Sequence, residues 1–179
     1  MALGLVFLLL GAALALGIAL LDVTLIVLLA EVWDGVPLVV AAVVIALAPI
    51  AVTLLIPPIR QVEAVAAESL LGVEFPDGVP GPAAGRGERV RATAWFSLHV
   101  LAGAAAVMLM IFVLPYGVTW IASPPWLTVV GVVVVVAGLV TPFVLVAAMA
   151  RLALPLLGPS YAQRLQRLEN ETARLVERT

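Results

Sequence analysis

The sequence predicts an all-α fold: a four-helix transmembrane bundle built from two helical hairpins. A cytoplasmic amphipathic segment and a C-terminal heptad helix complete the expected architecture. Of the 179 residues, 64% are hydrophobic and 11% charged, whereas a soluble domain is about half apolar and a quarter charged. Apolar runs of about 20 residues or more recur along the chain, which is the length a helix needs to cross a bilayer. They lack the alternating pattern of membrane strands.

The predicted spans are Leu3–Ala30, Pro37–Ile56, Ala92–Leu114 and Trp126–Ala150. The first has no leading arginine or lysine, and it exceeds the apolar stretch of about 7–15 residues in a signal peptide, so we expect a retained span. The valine run at 132–136 is interpreted as helix, because a backbone in lipid must satisfy its own hydrogen bonds.

These spans divide the chain into four parts. Residues 1–57 form the first hairpin, 58–91 a cytoplasmic amphipathic helix with a Pro/Gly linker, 92–150 the second hairpin and 151–179 a cytoplasmic signalling helix.

The orientation follows from the basic residues. The chain has nine arginines and no lysine, and every arginine lies between the second and third spans or after the fourth. Positive residues stay in the cytoplasm. We therefore expect a multi-pass plasma-membrane protein whose two termini and long loop lie on the cytoplasmic side. Aromatic rings and arginines at the interfaces fit this frame. The predicted anchors are Trp33, Trp120 and Trp126 outside, and Trp95, Arg89 and Arg91 inside.

The cytoplasmic loop begins with apolar residues at helical spacing: Ile59, Val62, Ala66 and Leu70. This pattern predicts a short amphipathic helix on the membrane surface. The Pro- and Gly-rich residues 76–87 are typical of a flexible linker.

The tail after Pro159 is polar and carries a seam at 4-3-4-3 spacing, as in a short heptad helix. The seam consists of Tyr161, Leu165, Leu168, Thr172 and Leu175. Two interpretations stay open: a solvated amphipathic helix, or a dimeric signalling helix that leads into a further domain.

Two stretches, RVRATAWFSLHVLAGA at Arg89–Ala104 and LLGPSYAQRLQRLENETARLVERT at Leu156–Thr179, resemble the membrane-input region of actinobacterial two-component sensor histidine kinases. The resemblance implies a homodimer that relays a signal through its C-terminal helix to a kinase core and a response regulator. The chain departs from the full family pattern because the phosphoacceptor helices and the ATP-binding domain are absent. We therefore expect no kinase activity from this chain, although the parent protein would be a protein-histidine kinase.

Asp22 and His99 are the candidate site residues, because ionisable groups within a membrane span are costly and face the bundle interior. The helical rise puts their side chains at depths that differ by roughly 7 Å, which allows a water-bridged pair. One hypothesis is an intramembrane switch whose protonation shifts helix packing. The other is a polar clamp to a hydroxyl, such as that of Thr24, Ser97 or Thr141.

The composition limits the other kinds of functional site that the chain can form. The chain has no cysteine and one histidine, which excludes thiolate chemistry and multi-histidine metal sites. We expect no catalytic residues, metal or cofactor, and partners limited to the bilayer, a second copy and the kinase machinery, without nucleic acid. The alternative functions are a non-catalytic assembly or partner-binding subunit and, less favoured, a small transporter.

Overall fold

The computed structural model describes residues 2–32, 56, 58–76, 78–83 and 85–159, and the positions 40, 43, 47, 51, 165, 169, 172–174 and 176. The helices are α1 (Ala2–Val32), α2 (Ile59–Leu71), α3 (Arg86–Met108), α4 (Leu114–Ile121) and α5 (Pro125–Leu157), with a π-helical turn at Leu109–Val113 joining α3 to α4. The described part of the chain contains no strand, which confirms the all-α prediction.

In the part of the chain that the structure describes, three stretches are long and apolar enough to cross a membrane: Ala2–Leu28, Arg86–Ile121 and Pro125–Leu157. At most 28% of each apolar window is buried inside the protein. The outward surface of each helix is therefore apolar, as a lipid environment requires. The predicted second span, Pro37–Ile56, lies outside the described residues except at five positions, of which 40, 43, 47 and 51 are helical.

The third and fourth spans are longer than predicted. The sequence placed the end of the third span before Pro115, but the helix continues to Ile121. A proline lacks the amide hydrogen and collides with the carbonyl four residues earlier. The wider π-helical turn at Leu109–Val113 contains that carbonyl, on Ile111, so we attribute the uninterrupted helix to this turn.

The joined helix α3–α4 and α5 run in opposite directions, side by side, about the turn at residues 122–124. Near this turn, a Cβ added to Gly131 would lie 2.7 Å from the carbonyl oxygen of Gly117, so the two backbones are almost in contact. At the other end, Arg91 Nη1 donates to the carbonyl of Pro155 over 3.4 Å.

Helix α1 packs on α3 and α5 through glycines. A Cβ on Gly11 would lie 2.6 Å from His99 Cδ2, and one on Gly103 would meet the α1 backbone between Leu8 and Ala12. A Cβ on Gly4 would collide with the side chain of Val146 on α5. Small residues at such positions let membrane helices approach closely.

Helix α2 forms where it was predicted, and its most buried positions are not those of the apolar stripe. Val62 is 63% exposed, while the buried residues are Arg60, Glu63, Ala64 and Ala67. The two charged side chains turn inward because each finds hydrogen-bond partners there, and the two alanines let α2 approach the bundle. The helix ends at Gly72, whose left-handed conformation (φ 69°) suits glycine.

The core gathers where α2 meets the long helices. It contains Phe7, Leu8, Ala64, Ala67, Val73, Phe75, Trp95, Ala102, Ala106, Met149, Ala153 and Leu157. This core surrounds the buried charges described next.

Candidate functional site

A buried acid–imidazole contact joins α2 to α3. Glu63 Oε2 lies 2.8 Å from His99 Nδ1 and accepts a hydrogen bond from Trp95 Nε1 at 3.0 Å. His99 is fully buried and Glu63 is 4% exposed. Helical geometry explains the convergence, because Trp95 and His99 are four residues apart and share one face of α3.

The other side of the imidazole contacts α1. His99 Nε2 lies 2.8 Å from the carbonyl oxygen of Phe7, and the two rings stack with centroids 3.8 Å apart. A carbonyl oxygen only accepts hydrogen bonds, so Nε2 must carry a hydrogen. One proton then remains to be placed between Nδ1 and Glu63 Oε2, and the pair is neutral with that proton on either atom.

A second charged contact, one helical turn away on α2, holds the end of α5. Arg60 Nη2 donates to the carbonyls of Leu157 at 2.8 Å and Gly158 at 3.1 Å. Its Nη1 lies 3.4 Å from Glu88 Oε2 and donates to Gly81 O at 3.3 Å. The last carbonyls of a helix lack intrahelical partners and carry partial negative charge, so a cation there is stabilising.

Arg60 is 2% exposed, and burial lowers the pKa of its guanidinium, while Glu88 raises it and nearby Arg91 lowers it. Arginine nevertheless stays protonated in proteins, so the contact carries a permanent charge. Its Nε has no hydrogen-bond partner in the described structure. Arg60, Glu88 and the carbonyls of Gly81, Leu157 and Gly158 together form the Arg60 clamp.

Asp22 does not join this site. It lies three helical turns beyond Gly11, which contacts His99, so the two levels of α1 are about 16 Å apart at 1.5 Å per residue. The pair envisaged from the sequence is therefore not formed. Asp22 is 3% exposed, and its Oδ2 has no hydrogen-bond partner among the described residues.

The polar partners of His99 also differ from those the sequence suggested. The sequence suggested a hydroxyl as the partner of Asp22 or His99, but the Thr24 and Thr141 hydroxyls donate to carbonyls of their own helices. His99 instead contacts the Glu63 carboxylate of α2 and the Phe7 backbone carbonyl of α1.

Among the predicted anchors, Trp126 is 68% and Trp120 36% exposed, whereas Trp95 is fully buried. Trp95 is therefore a core residue rather than a lipid-facing anchor. Arg89 is exposed and Arg91 is partly buried. Trp33 lies outside the described residues, as do the seam residues Tyr161, Leu168 and Leu175, whereas Leu165 and Thr172 are exposed helical positions.

Sequence reasoning missed Glu63, Arg60 and Glu88 as site residues. Each is a charged residue in a loop region rich in charges, where a solvated position is the ordinary expectation. The available signal was the position of Arg60 and Glu63, one turn apart beside the small residue Ala64.

Within the described residues, no group of three or more His, Asp or Glu side chains is placed to hold a metal ion. Comparison with protein-family models, characterised proteins and solved structures finds no match to this chain.

Proposed function

We propose that this chain is the transmembrane input region of a two-component sensor histidine kinase, which senses in or at the membrane and relays through its C-terminal helix. In this proposal two copies pair, the termini are cytoplasmic, and the kinase core and response regulator belong to the parent protein. The support comes from the resemblance at Arg89–Ala104 and Leu156–Thr179 and from one observation in the structure.

That observation is the Arg60 clamp. An input region must couple the membrane helices to the segment that leaves them, and here the exit of α5 is bound by a buried charge. The guanidinium contacts the final α5 carbonyls and Glu88 in the first turn of α3. A change in how α3 packs against α2 would therefore reach residues 157–158, directly before the predicted signalling helix.

The relay requires two arrangements of the clamp with similar free energies. Removing one partner of a buried ion pair costs about 3–5 kcal/mol, whereas a change of 1.4 kcal/mol already shifts a two-state equilibrium about tenfold. A clamp that differs between two states would thus suffice to bias a downstream enzyme.

The experiment uses the intact protein encoded by the native gene, reconstituted in lipid nanodiscs with labelled ATP. We expect autophosphorylation in the wild type and a change of about tenfold or more in Arg60→Gln, because the neutral amide cannot reproduce the clamp. Arg89→Gln is the matched control: it removes the same charge from an exposed residue near the start of α3, and its activity should stay near wild type.

Two results would refute parts of the proposal separately. A native protein without a phosphoacceptor histidine and without autophosphorylation would refute the kinase assignment. Equal activities of Arg60→Gln, Arg89→Gln and wild type would leave the kinase assignment intact and refute transmission through the clamp.

A further inference from the structure

The hydrogen-bond partners of Glu63 and His99 determine how many protons their contact holds. The Phe7 carbonyl requires a hydrogen on Nε2, and Trp95 Nε1 supplies its own hydrogen to Glu63 Oε2. The 2.8 Å separation between Nδ1 and Oε2 therefore needs one further proton on the line between them. Without it, two lone pairs would face each other at hydrogen-bond distance.

Among the described neighbours, no further charged group compensates for the loss of this proton. On α1 the neighbours are the apolar Phe7 and Leu8, and α5 contributes the apolar Met149, Ala153 and Leu157 to the same core. These residues do not titrate.

The nearest charged groups on α2 and α3 point elsewhere. Arg60 binds the end of α5 and Glu88, and Arg91 donates to the Pro155 carbonyl. Deprotonation of the pair would therefore leave a net negative charge in a fully buried position, which is costly.

We propose that Glu63 and His99 form a one-proton joint, which holds α2 against α1 and α3 and opens when the proton is lost. Loss of the proton leaves a carboxylate opposite a bare Nδ1. The Nε2–Phe7 hydrogen bond between α3 and α1 persists, whereas the Trp95–Glu63 hydrogen bond is lost as α2 withdraws. The repulsion acts between α2 and α3, so α2 is the element that moves. Gain of a second proton adds a charge but keeps a donor, Nδ1–H, toward Glu63.

The joint deepens the proposed function because α2 carries both Glu63 and Arg60. Release of Glu63 from His99 would loosen the helix that clamps the end of α5. Imidazole protonation and the docking of α2 can both be measured without kinase activity. Failure of the joint and failure of the kinase assignment are therefore distinguishable.

The first measurement is nitrogen-15 NMR of the imidazole in the full chain in bicelles, across a pH titration. His99 is the sole histidine, so its two ring nitrogens need no assignment by mutation. We expect Nε2 to stay protonated throughout, while Nδ1 changes from a strongly hydrogen-bonded to a bare nitrogen as pH rises. Glu63→Gln carries no ionisable proton, and its amide donates to Nδ1 only by giving up the acceptor that Glu63 Oε2 offers to Trp95 Nε1, so the alkaline transition of the pair should vanish.

The second measurement is thiol labelling of α2, which the cysteine-free chain allows without background. Ala67→Cys probes a fully buried position of α2, and Val62→Cys probes a position that is 63% exposed. The labelling ratio is the rate at position 67 divided by the rate at position 62. Taking this ratio cancels the intrinsic pH dependence of the thiol reaction. We expect the ratio to rise with pH by up to about tenfold per unit, which is the limit for release of one proton.

Glu68→Gln provides the matched control, because Glu68 is an exposed carboxylate on the same helix. In this background the labelling ratio should follow pH as in the wild type, whereas Glu63→Gln should make it flat. A pH-dependent ratio that persists in Glu63→Gln, a flat ratio in the wild type, or loss of the proton from Nε2 would each overturn the joint. If Ala67→Cys does not fold, the NMR titration alone decides.

Discussion

Gly11 and His99 show how little room single residues have where α1 crosses α3. A Cβ on Gly11 would meet both the carbonyl oxygen and the ring of His99. The imidazole is also stacked on Phe7 and bonded at both nitrogens, so it cannot turn aside without breaking those contacts. The missing side chain at Gly11 therefore fixes the position of the candidate site.

We expect Gly11→Ala to lower the free energy of unfolding in detergent by about 1–3 kcal/mol, the usual cost of an extra methyl group in a packed interior. Gly17→Ala is the control on the same helix, since no described atom beyond the neighbouring backbone of α1 lies within 4 Å of its added Cβ. Because alanine favours helix over glycine by about 1 kcal/mol, this change should be neutral or stabilising. Denaturant unfolding followed by circular dichroism measures both, and equal effects would contradict the close approach.

At the scale of elements, the helical form of α2 could be predicted from the sequence, but the burial of its charged residues could not. Its helical form follows from local spacing, and the long apolar helices follow from lipid solvation. The burial of Arg60 and Glu63 against the other helices was not predicted, because an amphipathic pattern assumes that charges seek water. Glu63 instead finds His99 and Trp95, which lie more than 30 positions away in the chain, and such pairing has no local signature.

The burial of each side chain on α2 predicts which substitutions are tolerated there. Ala67→Leu should destabilise the protein by about 1–3 kcal/mol, because Ala67 is fully buried in the core and overpacking strains its neighbours. Val62→Leu should change stability by less than about 0.5 kcal/mol, since its side chain is largely exposed. The unfolding midpoints of the two variants compare them directly, and a larger loss in Val62→Leu would contradict the burial of Ala67 and the exposure of Val62.

At the scale of the whole molecule, the antiparallel packing of α3–α4 and α5 separates two ends. Arg91 and Pro155 are joined at one end, together with α2, and Gly117 and Gly131 meet near the turn at the other. Arginines occur at the first end and are absent from the turn at 122–124. The rule that basic residues remain in the cytoplasm therefore predicts that α2 and the turn lie on opposite sides of the membrane.

Single cysteines test this orientation. In intact cells, Ser123→Cys in the turn should react with a membrane-impermeant maleimide, whereas Ser69→Cys, exposed on α2, should react only after permeabilisation. The wild-type chain has no cysteine and serves as the unlabelled control. Labelling of Ser69→Cys alone in intact cells would reverse the orientation, and labelling of both would exclude a crossing between them.

The π-helical turn at Leu109–Val113 also sets the angular relation between the two halves of the third long helix. A π turn holds one residue more than an α turn, so residues beyond it are rotated by about 100° relative to a regular continuation. That rotation brings Gly117 to face Gly131. Deletion of one residue from this segment would turn Gly117 away from Gly131 and return Pro115 to an ordinary helical turn, where its ring collides with the carbonyl four residues earlier. Helix α3 and its buried charges would keep their original phase.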